Sequence, residues 1–199
     1  MVDDLKFVIE QAREFALSEI QNYSLPPKIN FETSNVKGQE LARLLNADAD
    51  IVMLGTILMD IKLGQSKAEG RQKEHTKLGA KAAEEFLSQF ELPSEVIAKV
   101  VNCVAAHHKE IPFFCKEAEI CANADCYNFI NPRNVFAFIG FKARSGMPID
   151  QAMELAYKKL EEKHQILSLD ICKKELEPYY VTFKELFEAS KKNELIKHD

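Results

Sequence analysis

Five residues in this sequence are candidate ligands for a divalent metal, and they are spread over separate segments of the chain. They are Asp60, His75, His107, His108 and Asp125. Carboxylate oxygens and imidazole nitrogens are the ligands with which proteins hold ions such as Zn²⁺, Mn²⁺ and Fe²⁺. No histidine precedes His75, so a metal site has no imidazole to draw on from the N-terminal part. The sequence predicts a site in which an inward-facing aspartate meets imidazoles from other segments.

Two of these residues are carboxylates in unusual surroundings. Asp60 lies in the apolar run ILMDI over residues 57–61. A carboxylate among apolar groups needs a cation or hydrogen-bond donors to stay charged, so we interpret Asp60 as a metal ligand and catalytic group. The alternative is an aspartate that faces solvent or caps a neighbouring helix. Asp125 follows the small residues of 122–124, which would let other groups approach its carboxylate.

The histidines have simpler alternatives too. His107 and His108 end an apolar helical pattern, where an imidazolium can cap the negative end of the helix dipole. Adjacent residues on an α-helix point about 100° apart, so one ion would take both only if the helix ends there. Otherwise one of the pair would be a ligand and the other a supporting or substrate contact. His75 begins its own segment and, taken alone, would be an ordinary surface residue.

Apolar residues recur at helical spacing along most of the chain, which predicts an all-α, compact multi-helix bundle. The helix over 51–65 is apolar nearly all round and is therefore expected to be central. A linker is predicted over 23–35, with a capping signal in Thr33, Ser34 and Asn35, and a charged connection over 66–74. Helices are predicted over about 3–22, 36–45, 51–65, 75–90, 96–108, 116–130, 134–146, 149–167 and 176–195.

Composition narrows the class of protein. A chain of 199 residues, 46% hydrophobic and 29% charged, is expected to form one domain over 1–199. A net charge of −5 argues against an extended nucleic-acid partner. The acidic, amphipathic start and the lack of a run of about 18 apolar residues predict a cytoplasmic protein with no membrane partner. The five cysteines form no CxxC pair and are interpreted as free thiols, mostly buried.

The order of four segments resembles the HD superfamily of metal-dependent phosphohydrolases. These segments are LGTILMDIKLG, EHTKLGAKAAEEFL, VVNCVAAHH and EAEICANADCYNF. Members of that family carry the pattern H…HD…H…HH…D. The HD pair lies in a run like ALLHDIG, and the last aspartate lies in a run like DAD. The resemblance covers about residues 30–130 and implies an HD-like core there, with a helical extension over about 135–199.

Two positions depart from the family pattern. The first histidine would fall near Thr33, Ser34 or Asn35, and none of these is a histidine. The histidine of the HD pair is replaced by Met59, whose thioether is a poor ligand for Mg²⁺, Mn²⁺ or Zn²⁺ beside oxygen donors. Of the usual mononuclear set of two histidines and two aspartates, the resemblance therefore retains only two aspartates.

In family members that bind two metal ions, the aspartate of the HD pair bridges the two ions, and the later histidines complete the ligands of the second ion. By that resemblance Asp60, His75 and one or both of His107 and His108 hold one divalent ion. The ion is Mn, Mg, Zn, Fe, Co or Ni, and loss of metal binding altogether is the alternative. Asp125 would then orient or deprotonate the attacking water.

Two lysines are candidates for contacts with a substrate phosphate. Lys62 follows Asp60 by two residues, and Lys109 follows the histidine pair. The alternative is that both are exposed lysines without a role. We set aside His164, in a charged helical run, and the terminal pair His198–Asp199, because chain ends are usually frayed.

Three functions remain open. The first, which we favour, is a hydrolase of a phosphoester or nucleotide, so that its partner is a small phosphorylated molecule. The second is an inactive HD-type fold that binds a nucleotide or another small molecule. The third is an interaction protein, a homodimer for instance, that works through the charged helix over 176–195, although packing of that helix on its own domain is the favoured interpretation.

Overall fold

The computed structural model describes residues 4–192, and every regular element in that range is helical, as predicted. The elements are α1 (Leu5–Tyr23), α2 (Lys28–Leu44), α3 (Ala49–Leu58), α4 (Leu63–Ala68), a 3-10 turn (Gln72–Glu74), α5 (His75–Leu87), α6 (Ser94–Ala106), α7 (Lys116–Ile130), α8 (Pro132–Arg144), α9 (Ile149–Ile166) and α10 (Asp170–Lys192). No helix among these residues has both the length and the apolar character needed to cross a bilayer.

The chain divides into two compact units, Met1–Asp125 and Cys126–Asp199, with the boundary inside α7. The first unit contains all five candidate ligands and both candidate lysines. It also contains most of the HD-like core predicted over 30–130, whereas the predicted extension over 135–199 falls in the second unit. The assignment of the whole chain to a single domain stays a prediction.

Helix α3 forms the centre of the first unit, and its predicted central position is confirmed. It packs against α1, α2 and α6, and Val52, Leu54 and Leu58 on it have no exposed surface. The Asp48 carboxylate begins the helix by accepting hydrogen bonds from the backbone N–H groups of residues 50 and 51. A helix enclosed on several sides carries apolar residues all round, which is the pattern in the sequence.

The predicted helix over 51–65 is wrong in its second half. The chain leaves α3 after Leu58, turns through residues 59–62 and starts α4 at Leu63. The turn is closed by hydrogen bonds from the Ile61 N–H to the Leu58 carbonyl (3.1 Å) and from the Leu63 N–H to the Asp60 carbonyl (2.9 Å). Asp60 therefore lies on a turn at the end of the central helix, not in the middle of a helix.

The predicted linker over 23–35 is wrong in its second half as well. Helix α2 begins at Lys28, directly after Pro27, so Thr33, Ser34 and Asn35 lie inside it and do not cap it. Ser34 and Asn35 are only 3% and 5% exposed. Ser, Thr and Asn favour N-caps because their side chains bond to nearby backbone groups, but burial of this helix face overrides that local preference.

The other boundaries differ less. The connection predicted over 66–74 contains the end of α4 and the 3-10 turn, which places residues 72–74 directly before α5. Helix α10 begins at Asp170, before the predicted start at 176, and the predicted end at 195 lies outside the described residues. On α10, Phe183 packs edge-to-face on Phe136 at a ring distance of 5.5 Å, which fits the interpretation that this helix packs on its own chain.

The cysteines agree with the prediction of free thiols. All five are free, and four of them are buried, whereas Cys115 is half-buried.

Gly55 allows α3 to lie close to α6 and α7. A Cβ atom at Gly55 would lie 2.6 Å from Cys103 Cβ and 2.7 Å from Cys121 Sγ. We expect Gly55→Ala to lower the free energy of unfolding by about 1–3 kcal/mol, because overpacking outweighs the higher helix propensity of alanine. In Gly140→Ala, the control, the nearest atom is Arg144 Nη1 at 3.6 Å, so a gain of about 0.5–1 kcal/mol is expected. Guanidinium denaturation measures both, and equal effects would contradict the argument.

Candidate metal centre

Three histidines from two segments of the chain converge in the first unit. One ring nitrogen from each of His75, His107 and His108 lies within 4.8 Å of one from each of the others. The ring centroids are 4.4 Å apart for His107 and His108, 5.0 Å for His75 and His108, and 5.6 Å for His75 and His107. Residues far apart in the sequence are thus brought within the reach of one ion.

The 3-10 turn before α5 orients His75. The Nδ1 atom of His75 lies 2.9 Å from the carbonyl oxygen of Gln72. A carbonyl oxygen can only accept, so we assign the proton to Nδ1, which makes Nε2 the nitrogen with the lone pair. This hydrogen bond is the kind that fixes the tautomer and ring orientation of metal-binding histidines.

The end of α6 orients His107 in the same way. Helix α6 ends at Ala106, and His107 Nδ1 lies 2.7 Å from the carbonyl oxygen of Val104. The Nε2 atom of His107 is buried and makes no hydrogen bond. Because the helix ends before the pair, His107 and His108 can face a common point, as the binding of one ion by both residues requires. A buried nitrogen lone pair without a donor is costly unless a cation or proton meets it.

The carboxylate of Asp60 lies beside two of these histidines, His75 and His107. Its Oδ1 atom lies 3.7 Å from His75 Nε2 and 3.6 Å from His107 Nε2. These distances are too long for hydrogen bonds, but two ligand atoms that bind one ion at about 2.1 Å in a tetrahedral arrangement lie roughly 3.4 Å apart. An oxygen and two nitrogen lone pairs that face each other at this separation repel one another unless a cation or proton lies between them. The residues present therefore fit a divalent metal.

The charge state of Asp60 suits a ligand. Burial by itself raises the pKa of this carboxyl, but the Nε2–H group of protonated His107 and the positive charge of protonated His107 and His75 act in the opposite direction and hold the pKa below its ordinary value. Asp60 is therefore ionised at neutral pH. The negative charge of Asp125 also acts on Asp60 and raises the pKa of the Asp60 carboxyl. Asp125 is itself only 2% exposed.

The prediction that Lys62 contacts a phosphate receives no support. Its ammonium group lies 3.2 Å from a carboxylate oxygen of Glu19 and 5.6 Å from the centre of the Phe15 ring, both on α1. The turn at 59–62 directs this side chain towards α1, where an ion pair and an aromatic face hold it. In this structure Lys62 therefore links the turn to α1, and the phosphate contact at Lys62 stays a prediction.

Lys109 remains available for the role predicted for it. It is exposed and directly follows His108, in a left-handed backbone conformation with φ of 59°. Its N–H donates to the Ala106 carbonyl at 2.7 Å, which ends the helix sharply. The phosphate contact at Lys109 stays a prediction.

Two polar residues beside the cluster were not predicted from the sequence. Thr76 Oγ1 donates a hydrogen bond of 2.9 Å to Glu110 Oε2. Thr76 directly follows His75, and Glu110 follows His108 by two residues. No sequence motif marks this pair, because the two residues are far apart in the chain. At the position of the missing family histidine, Met59 is 2% exposed and belongs to the core.

No family model matches the sequence, and no curated protein is similar enough to match it. Two solved structures share its fold. One is the crystal structure of a predicted HD superfamily hydrolase from an uncultured Thermotogales bacterium, with 16% identity, a TM-score of 0.62 and 91% of each chain covered. The other is YpgQ of Bacillus subtilis, with 16% identity, a TM-score of 0.66 and coverage of 94% of this chain and 96% of that chain. The predicted HD-type all-α fold is thereby confirmed.

Proposed function

From the premise that this chain has the fold of an HD superfamily hydrolase, we propose that it is a metal-dependent phosphohydrolase. Its substrate would be a phosphoester or a nucleotide, and its metal would be one divalent ion held by Asp60, His75, His107 and His108. The observation that supports this proposal most directly is the convergence of two imidazole nitrogens on the Asp60 carboxylate at 3.6 and 3.7 Å.

The residues have distinct proposed roles. A divalent ion bound here would stabilise negative charge on a phosphoryl group and make a water molecule more acidic. Asp125, a buried carboxylate whose charge acts on Asp60, is the group we assign to orient the attacking water or accept its proton. The exposed ammonium of Lys109 would contact the phosphate as a point charge.

The donor set predicts the kind of metal. Three imidazoles and one carboxylate favour Zn²⁺, Fe²⁺, Co²⁺ or Ni²⁺, whereas Mg²⁺ prefers oxygen ligands. We expect protein purified without chelator to carry, or to take up in titration, about one transition-metal ion per chain, and millimolar Mg²⁺ not to displace it. Elemental analysis and isothermal titration calorimetry measure this. Stoichiometric binding of Mg²⁺ in preference to Zn²⁺ would contradict the assignment of the ligands.

The activity itself is tested with metal-loaded protein on a panel of phosphomonoesters, phosphodiesters and nucleotides. Phosphate release that depends on the metal and on Asp60 supports the proposal. A protein that takes up no metal and releases no phosphate from any member of the panel contradicts it.

A second candidate function has its own supporting observation. Met59 is buried in the core where the family has a ligand, and α2 carries no histidine, so the standard site is incomplete. An HD-type fold that binds a nucleotide without hydrolysing it fits this loss. If this second function is correct, we expect thermal-shift screening to show stabilisation by a nucleotide in the absence of added metal. A cytoplasmic location and a homodimer are proposed with either function.

A further inference from the structure

The three histidines come from two separate segments, so their common geometry depends on how those segments are held together. His75 is the first residue of α5, and the other two follow the end of α6. A displacement of one segment along the other by an ångström or two would separate the ring nitrogens beyond the reach of a single ion. Something must therefore fix the register between the start of α5 and the residues after α6.

Apolar packing between α5 and α6 does not suffice for this. The two helices are in contact, and Gly79 permits a close approach, since a Cβ atom there would lie 3.3 Å from a Val104 methyl group. Such contacts are not directional and tolerate small shifts. A hydrogen bond, in contrast, weakens steeply when its length or angle changes.

The hydrogen bond between Thr76 and Glu110 is a directional contact between the two segments. Thr76 directly follows His75, and Glu110 follows His108 by two residues, so this bond of 2.9 Å joins the two histidine-bearing segments next to the ligands. Thr76 is 3% exposed and belongs to the first turn of α5, so its hydroxyl group has a fixed position. Its acceptor is a carboxylate, and hydrogen bonds to charged acceptors are the stronger kind.

The segment that carries Glu110 is also held at its other end. The Asn102 amide donates to the Pro112 carbonyl at 3.1 Å, and its oxygen accepts from the Phe114 N–H at 2.8 Å. Asn102 is 3% exposed and lies on α6. The segment after the histidine pair is therefore tied to α5 at one end and to α6 at the other.

We propose that Thr76 and Glu110 form a positioning clamp that holds His75 in register with His107 and His108 for one metal ion. Neither residue is a ligand, and the clamp acts through the backbone positions of the histidines. This inference rests on the proposed metal site and extends it to two residues outside the ligand set.

The test is the affinity and visible spectrum of bound Co²⁺ in the full chain. Thr76→Val keeps the shape of the side chain and removes the hydroxyl group, whereas Thr76→Ser keeps the hydroxyl group. We expect Thr76→Val to bind Co²⁺ about tenfold more weakly, at the lower end of the range for residues that support ligands, and to change its absorption bands. Thr76→Ser is expected to restore both the affinity and the spectrum of the parent.

Glu110 is exposed, so variants at this residue do not disturb the core. They distinguish the loss of the hydrogen bond from the loss of the negative charge. Glu110→Gln keeps an acceptor oxygen without the charge, so its affinity should lie nearer to the parent than that of Glu110→Ala. The double variant Thr76→Val with Glu110→Ala should bind Co²⁺ no more weakly than either single variant, because both remove one interaction. If Thr76→Val fails to fold, as judged by circular dichroism, Glu110→Ala at the exposed position decides the question.

The outcomes distinguish the clamp from the site. A parent protein that binds Co²⁺, with Thr76→Val and Glu110→Ala that bind it equally well and with the same spectrum, overturns the clamp and leaves the proposed function standing. A parent protein that binds no Co²⁺, Zn²⁺ or Ni²⁺ overturns the proposed function and the clamp with it.

Discussion

An Asp60→Asn variant is expected to lose the metal and, with it, any metal-dependent hydrolysis. The amide has nearly the shape of the carboxylate but carries no charge, and its NH₂ group would turn a donor towards the buried His107 nitrogen. We expect the affinity for Zn²⁺ or Co²⁺ to fall by more than about 100-fold, beyond the 10- to 100-fold range typical of residues that only support ligands. Calorimetric titration and phosphate release under metal-saturating conditions measure the two effects.

Thermal denaturation gives an independent measure of the same prediction. An ion present at about 100 times its Kd should stabilise the parent by about 2.7 kcal/mol, which raises the Tm by roughly 5–10 °C in a chain of this size. Asp60→Asn should show no such shift. Asp50→Asn, in the first turn of α3, makes the same chemical change away from the histidines and should respond to metal as the parent does. Equal metal stabilisation of Asp60→Asn and the parent would remove the central support for the proposed function.

Leu54→Ala is expected to have the largest effect on stability among the predictions made for this chain. Leu54 has no exposed surface and lies on the central helix α3. Truncation of a fully buried leucine removes its transfer free energy and leaves a cavity, which costs about 2–5 kcal/mol. Since small proteins are stable by only about 5–15 kcal/mol, we expect the guanidinium midpoint to fall sharply and the Tm to fall by about 10 °C.

The matched control is Leu44→Ala on α2, where the side chain is 59% exposed. Substitutions at such surface positions usually change the free energy of unfolding by no more than about 0.5 kcal/mol. If Leu54→Ala and Leu44→Ala were equally mild, α3 would not be the centre of the first unit, and the position of Asp60 at its end would lose its structural basis.

Local signals predicted some elements closely. Helix α7 has the predicted bounds of 116–130, because Pro112 precedes it and the Asn131–Pro132 pair follows it. The first helix agrees within two residues at its start and one at its end. At these positions the residues that start and stop a helix lie next to the boundary in sequence.

Other boundaries depend on tertiary contacts that no local signal reports. The break between α3 and α4 contains neither glycine nor proline within residues 59–62, and its apolar residues would suit a longer helix equally well. In α2, the polar residues 33–35 suggested a cap, but the helix already begins at Lys28. In both cases packing against neighbouring helices decides where the backbone turns.

In the candidate site, too, some features were predicted from the sequence and others depend on tertiary contacts. Residue types and the family resemblance pointed to Asp60, the three histidines and Asp125 before any distance was known. The sequence could not indicate that His75 and His107 present Nε2 towards Asp60, because the carbonyl groups that orient the rings are set by the backbone of the 3-10 turn and of α6. It also could not indicate that Lys62 is paired with Glu19 on another helix.

The hydrogen bonds from His75 and His107 to backbone carbonyls have a consequence for the kinetics of metal uptake. Both imidazole rings are already immobilised by the polypeptide itself, so ion capture does not have to freeze rotors that would each cost about 0.5–1.5 kcal/mol on binding. Preorganisation of this kind leaves dehydration of the incoming cation as the main barrier. The rate of loading should therefore follow the rate at which each aqua ion exchanges its water, fast for Zn²⁺ and slow for Ni²⁺.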